Sequence, residues 1–295
     1  MPTDDVLTRE FQTQRDHLHA VAYRMLGSPT EADDAVQEAW LRLARHDVAD
    51  VRNLPGWLTT VVSRICLDIL RGRAARREEP LDHVDRLADD DNEPEREAVL
   101  IDSVGRALLV VLDRLGPDER VAFVLHDLFA VPFDRIGPIV GRTTTTAKKL
   151  ASRARQRVRG DAAAPVDLAA QRHVVEAFLD AARGGDLDRL LAVLAPDVVR
   201  TADPAALPAG VPTTVRGAAA VARETVLLRR RSRLAMPALV DGGVGILVAP
   251  HGRLLLALTV VVRGDRVAAY EVIADPARLR QLTISLLPDS RAISA

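Results

Sequence analysis

Two all-helical modules followed by an α+β domain, in which helices cover a curved antiparallel sheet, is the multidomain architecture this sequence predicts. Three observations predict it. Apolar residues recur at helical spacing up to about Val158; the composition shifts after Gly160; and the remainder passes from helical patterns to short apolar runs punctuated by glycine turns. A chain of 295 residues accommodates two domains or three small ones. Its 48% hydrophobic content excludes wholesale disorder.

The first module opens with Phe11, Leu18, Val21, Ala22 and Met25 on one helical face, ended by Gly27. Ser28-Pro29-Thr30-Glu31 then reads as an N-cap, a first-turn proline and a capping-box glutamate. The second helix buries Ala32, Val36, Ala39 and Leu43 and turns Asp34, Gln37, Glu38 and Leu41 to another face, which has no cationic partner at its own spacing. Pro55 starts a third helix with Leu58, Val61, Val62, Ile65 and Ile69 inward, and Thr60, Ser63, Arg64, Leu67 and Arg71 outward.

In the second module Ile101, Val104, Leu108, Val111, Leu112 and Leu115 form an amphipathic helix that ends at Gly116. A short helix from Phe133 to Val140, Gly141, and a longer basic helix to about Val158 make a helix-turn-helix pattern. One of Thr143 to Thr146 serves as its N-cap. Ala147, Leu150, Ala151, Ala154 and Val158 point inward, and Thr145, Lys149, Ser152, Arg153 and Gln156 outward. Gly137-Pro138 in the short helix removes one hydrogen bond and predicts a kink.

The third part predicts helices over Leu168 to Ala182 and Leu187 to Leu194 and strands over Leu234 to Val240, Gly245 to Ala249, Arg253 to Val262 and Val267 to Ile273. Leu254 to Val262 is apolar enough to predict burial on both faces. The expected boundaries are 1–77, an acidic linker over 78–100, 101–160, a linker over 161–167, and 168–295.

Composition restricts function. A single cysteine, Cys66, excludes a disulfide framework and a Cys-rich zinc site and suits a reducing compartment. Met1 to Phe11 carries no signal-peptide core, and Leu254 to Val262 is far shorter than a membrane span, so a cytoplasmic protein without membrane contact is expected. No metal or cofactor is expected. Lys and Arg number 40 against 41 Asp and Glu, but the charge is segregated: cations gather at Arg64 to Arg77 and Arg142 to Arg159, with an acidic stretch, Glu78 to Glu97, between them.

Arginines grip phosphate or guanine and hydroxyls bond phosphate or base edges, so the outward stripe of the third helix suits a nucleic acid, and Trp57 beside it can stack on an unpaired base. An acidic stripe suits solvent or a basic protein partner. In the last domain Asp197, Asp203, His251, Tyr270 and Glu271 are the candidates for acid–base chemistry, but no spacing forces two of them together, so no catalytic residue is assigned.

Ala22 to Ser28, Ala32 to Leu43 and Trp57 to Arg71 resemble region 2 of bacterial sigma factors of the extracytoplasmic-function class, and Phe133 to Arg159 resembles their region 4. The resemblance implies an alternative sigma factor that binds core RNA polymerase and promoter DNA. It implies that Asp34, Gln37, Glu38 and Leu41 meet the polymerase; that Asn53, Trp57, Thr60, Ser63, Arg64 and Arg71 melt and capture the −10 element; and that Arg142, Thr145, Lys148, Lys149 and Arg153 read the −35 element. The C-terminal part resembles the polyketide-cyclase-like (SnoaL-like) cone domain fused to one group of these factors, on Asp241-Gly242-Gly243 and on Ala274 to Leu279 with Asp275-Pro276. That implies regulation by the protein's own tail, with a small-molecule ligand of the domain left open. A one-component helix-turn-helix regulator with a ligand-sensing cone is the alternative.

Overall fold

The computed structural model describes residues 4–45, 53–76, 103–160, 168–207 and 210–288; the acidic linker expected over 78–100 and the linker over 161–167 lie outside the described residues. The described residues form two compact units, the first from residues 4–45, 53–76 and 112–155, the second from 103–111, 156–160, 168–207 and 210–288.

In the first unit, helices α1 (Asp4–Leu26), α2 (Pro29–Arg45) and α3 (Leu54–Arg76) pack on one another. Leu18, Val21, Ala22 and Met25 of α1 and Ala32, Val36, Ala39 and Leu43 of α2 are buried, as is one side of α3. Gly27 turns the chain with φ 76°, and the Ser28 hydroxyl accepts from the Glu31 amide at 3.4 Å. Only half of the expected capping box forms, because the Glu31 carboxylate pairs with Arg73, a charge-assisted bond stronger than one to a neutral amide. α3 also departs from its expected two-sided pattern: Ser63 and Leu67, expected outward, are buried. The reason is tertiary, since the outward stripe is covered by two later helices, α5 (Pro117–Phe123) and α6 (Phe133–Val140).

Before them comes α4 (Ser103–Asp113); after them comes α7 (Thr144–Arg159). Gly116 precedes α5 and donates its amide to Glu119 Oε2 at 3.3 Å, and a π-helical turn, Val124–Leu128, follows α5. α6 runs unbroken through Pro138.

The second unit carries α8 (Leu168–Gly184), α9 (Leu187–Val193), α10 (Ala218–Leu227), α11 (Arg229–Ser232) and α12 (Pro276–Gln281). Its strands are β1 (Leu194–Ala202), β2 (Thr214–Arg216), β3 (Ala235–Val240), β4 (Gly243–Val248), β5 (Leu256–Arg263), β6 (Arg266–Ile273) and β7 (Ile284–Ser285). They form one open sheet in the order β2-β1-β6-β5-β4-β3-β7. The expectation of an antiparallel sheet needs one correction: β1 and β6 run parallel. The strands from β3 to β6 follow one another by short connections and must alternate in direction, whereas β1 is separated in sequence from β6 by β2, α10, α11 and the strands β3 to β5, so no short connection fixes the direction of that pair. β5 is a second correction. Only its first residues are buried and Val261 is 56% exposed, because beyond Ala257 one face of the strand is left partly open.

The two short C-terminal motifs have local structural roles. Asp241 and Gly242 both take positive φ in the β3–β4 turn, and Asp241 exchanges two hydrogen bonds with Thr283, N to O at 2.8 Å and Thr283 N to Oδ1 at 2.7 Å, with Gly243 starting β4. Asp275 caps α12, accepting from Ala277 N and Arg278 N, and Pro276 takes the first helical position. Two pieces of α4 and α7 also belong to this unit: Leu109 lies against Gly252, where an added Cβ would come within 2.8 Å of it, and Leu286 N donates to Val158 O at 3.0 Å.

Asp203 ties the end of β1 to the start of α12. Burial alone would raise its carboxyl, but the amides of Asp275 and Ala274 and the Arg278 guanidinium outweigh that and hold it below the usual value. A depressed folded pKa stabilises the protein fully above the unfolded value of about 3.9, and that stability is lost as pH falls through the folded value. Asp203→Asn is therefore expected to lower the melting temperature at pH 7 and to narrow its gap from the parent as pH drops below about 4; a constant gap down to pH 2.5 contradicts this role.

Candidate nucleic-acid and polymerase interface

On α2, Asp34 and Gln37 are exposed and Leu41 is 40% exposed, an unusual position for a leucine within an acidic stripe. Glu38 differs from expectation: Arg42, one turn on, bonds its Oε1 at 2.8 Å, so this face does hold one cation of its own.

At the head of α3, Asn53 Oδ1 accepts from Gly56 N at 3.0 Å and acts as the helix cap. Trp57 is half-buried. The Thr60 hydroxyl donates to Gly56 O, and that of Ser63 donates to Thr59 O at 2.7 Å inside the core. Arg64 and Arg71 are exposed but engaged. Arg71 holds Asp118 Oδ1 through Nη2 at 2.8 Å and Nε at 3.2 Å, and Nη2 also reaches Val140 O at 3.3 Å. Arg64 Nη2 donates to Pro138 O at 3.4 Å. Both acceptor carbonyls stand at the C-terminal end of α6, the negative pole of a helix, so a carboxylate and a helix terminus together satisfy these two arginines.

Arg142 joins the same anion, Nε to Asp118 Oδ2 at 3.6 Å. One carboxylate thus holds an arginine from α3 and another from the turn before α7. The sequence reading missed Asp118, which looks like an ordinary first-turn acid of α5. It also missed Arg135 on α6, whose Nη1 lies where a Cβ on Gly56 would stand.

On α7 Arg155 pairs with Asp127, while a neighbouring face is open. Thr145, Lys148, Lys149 and Arg153 on α7 are exposed, while Ala147, Ala151 and Ala154 are buried beneath them. Thr143 is the N-cap, accepting from Thr146 N at 3.2 Å. Gly141 takes φ 68°, and Arg142 N returns to Gly137 O at 2.8 Å. Gly137 explains itself here: a Cβ would lie 2.9 Å from Arg142 O and 3.2 Å from Thr144 N, backbone atoms that cannot give way cheaply.

The acid–base candidates do not converge. Tyr270 lines a cavity in the sheet domain, Asp203 and Glu271 are bound by Arg278 outside it, Asp197 is exposed beside Arg263, and the His251 side chain lies outside the described residues. Burial pushes the Cys66 thiol up to about 12, against the lowering effect of Arg120 and Arg73, so it is no nucleophile.

Residues 11–76 match the family Sigma-70 region 2, and residues 105–158 match Sigma-70, region 4. The probable ECF RNA polymerase sigma factor SigI of Mycobacterium tuberculosis is 40% identical over 208 residues, which span 69% of this chain and 72% of SigI. The chain belongs to the ECF sigma factors. SigJ of the same organism, also an ECF RNA polymerase sigma factor, is 44% identical over 213 residues, 66% of this chain and 64% of SigJ. Both alignments are longer than the 158 residues that end with region 4, so they run into the C-terminal domain. A crystal structure of SigJ shares 35% identity over 92% of this chain and 98% of that one, with a TM-score of 0.45. As an alternative sigma factor, this ECF protein binds core RNA polymerase and promoter DNA to start transcription. Among the described residues no helix is long and apolar enough to cross a membrane.

Gly137→Ala gains up to about 1 kcal/mol of helix propensity but overpacks the turn by about 1–3 kcal/mol. The expected net result is a lower denaturant midpoint together with weaker binding of a −35 duplex; an unchanged midpoint contradicts the close approach.

Proposed function

We propose that this sigma factor rests in a closed form, in which region 4 masks the DNA-melting face of region 2, and that it opens on the polymerase. The observation that carries the reading is Asp118, which holds Arg71 and Arg142 at once. Elements centred at −35 and −10 lie about 25 base pairs apart, about 85 Å at about 3.4 Å per step. Arg64 is 3.4 Å from a carbonyl of α6. Modules in contact cannot reach both elements, so promoter binding requires them to separate.

In the open form Asp34, Gln37, Glu38 and Leu41 dock on core polymerase in the cytoplasm. Asn53, Trp57, Thr60, Arg64 and Arg71 capture the −10 strand, and Arg142, Thr145, Lys148, Lys149 and Arg153 read the −35 duplex. Ser63 contributes packing rather than a contact unless α3 is uncovered. Flipping a base costs a few kcal/mol, which pocket contacts offset. The fused tail acts as regulator through its hold on α4 and the end of α7; Leu109 at Gly252 and Val158 at Leu286 support this. Asp241, Gly242, Gly243, Asp275 and Pro276 serve it by fixing the domain's turns.

Arg64→Glu is expected to abolish promoter opening in a purified transcription assay while core binding, measured by co-elution, persists; loss of both together contradicts the assignment of that face. Asp118→Asn keeps the side-chain shape but removes the charge that holds both arginines. Its free chain is expected to bind a −10 single strand about tenfold more tightly than the parent, because the fraction with the region 2 face uncovered rises. Equal or weaker binding at an unchanged melting temperature overturns the closed form.

A further inference from the structure

The sheet domain encloses a cavity of about 90 Å³ between α8, α10 and the sheet. Phe178 and Leu179 line it from the helix side, and Ile246 and Leu258 from the sheet. Leu228, 39% exposed, also lines it, so it opens towards solvent on that side. Apart from a few polar groups the lining is apolar, so a trapped water would find few partners there.

Two polar pairs stand in the wall. Arg200, 2% exposed, gives Nε to Glu224 Oε2 at 3.0 Å, pairs its Nη2 with the other carboxylate oxygen, and gives Nη1 to Pro212 O at 3.0 Å. Its charge and its donors are spent. A ligand anion gains little there and meets Glu224, so a charged occupant loses its hydration without compensation. The second pair is looser. Thr225 donates its only hydroxyl proton to Val221 O at 2.8 Å, so the Tyr270 phenol must be the donor in their 3.4 Å contact. That distance lies beyond the usual range for two hydroxyls, and the phenol oxygen keeps its lone pairs. Burial pushes the phenol up to about 12, so it stays neutral and can donate as well as accept.

We infer that this cavity is a binding site for a compact, neutral, mainly apolar molecule bearing one hydroxyl, which exchanges hydrogen bonds with Tyr270 while its body packs among Phe178, Leu179, Ile246 and Leu258. A volume of about 90 Å³, below the roughly 150 Å³ of a cavity that encloses benzene, limits the occupant to a short branched chain or to a single ring that reaches into the opening beside Leu228. The site is independent of the closed form proposed above, because every residue in it belongs to the sheet domain.

The test uses the full chain and three probes of one frame, phenol, toluene and benzoate, followed by ligand-observed NMR titration. Phenol is expected to saturate at a Kd of about 1 mM or tighter. Toluene is expected to bind at least threefold more weakly, and benzoate not at all. Tyr270→Phe is expected to erase the preference for phenol over toluene. Ala182→Phe fills the cavity and Ala206→Trp blocks its lining from a surface turn; each is expected to abolish binding in a chain that melts as the parent does. If Ala182→Phe fails to fold, Ala206→Trp alone decides. No saturation by phenol, binding that survives the filling variants, or benzoate binding as well as phenol overturns the assignment.

Discussion

The closed form proposed above rests on a carboxylate in the first turn of α5. Asp118 neutralises Arg71 from the region 2 helix and Arg142 from the helix-turn-helix turn, while the C-terminal carbonyls of α6 take Arg64 and share Arg71. Each contact is modest, because the arginines are half-exposed and screened by solvent. Modesty suits a latch. On that proposal, contacts worth many kcal/mol would keep the factor from its promoter, whereas screened ion pairs leave the arginines available to phosphates. The apolar burial of α3 beneath α5 and α6 adds to the hold, and it explains why this helix lacks a clean polar side.

Much of this was legible in the sequence. The ends of α1 and α2 were written in Gly27, Ser28 and Pro29, and the recognition helix in the alternation of buried alanines with exposed Thr145, Lys149 and Arg153. Both follow from local rules of capping and period. What sequence periodicity could not reach was set by tertiary contact. Ser63 and Leu67 were expected to face outward because a wheel knows only one partner for a helix, and α3 has two. Asp118 carries no local mark that distinguishes it from any acid at a helix start. β1 escaped because Pro196 and Asp197 interrupt its alternation and a bulge shifts its register between Leu194 and Val199. Gly137, which read as a defect in α6, is the residue that lets the turn before α7 come close.

The division into units adds a constraint of its own. The start of α4 and the end of α7 belong with the sheet domain, although the region 4 match runs across both from 105 to 158. The two ends of the region 4 segment are therefore packed with the domain that follows it, and its middle with the first unit.

The most direct measurement is the distance between the two DNA-binding modules before and after engagement. Exposed Ala44 and Ser152 are suitable positions for paired cysteine labels, and Cys66, buried with its thiol pushed up to about 12, stays unlabelled. Energy transfer between the labels is expected to be high in the free chain, high in its mixture with promoter DNA alone, and low once core polymerase and promoter are both present. The same high transfer in the complete initiation complex would contradict the account.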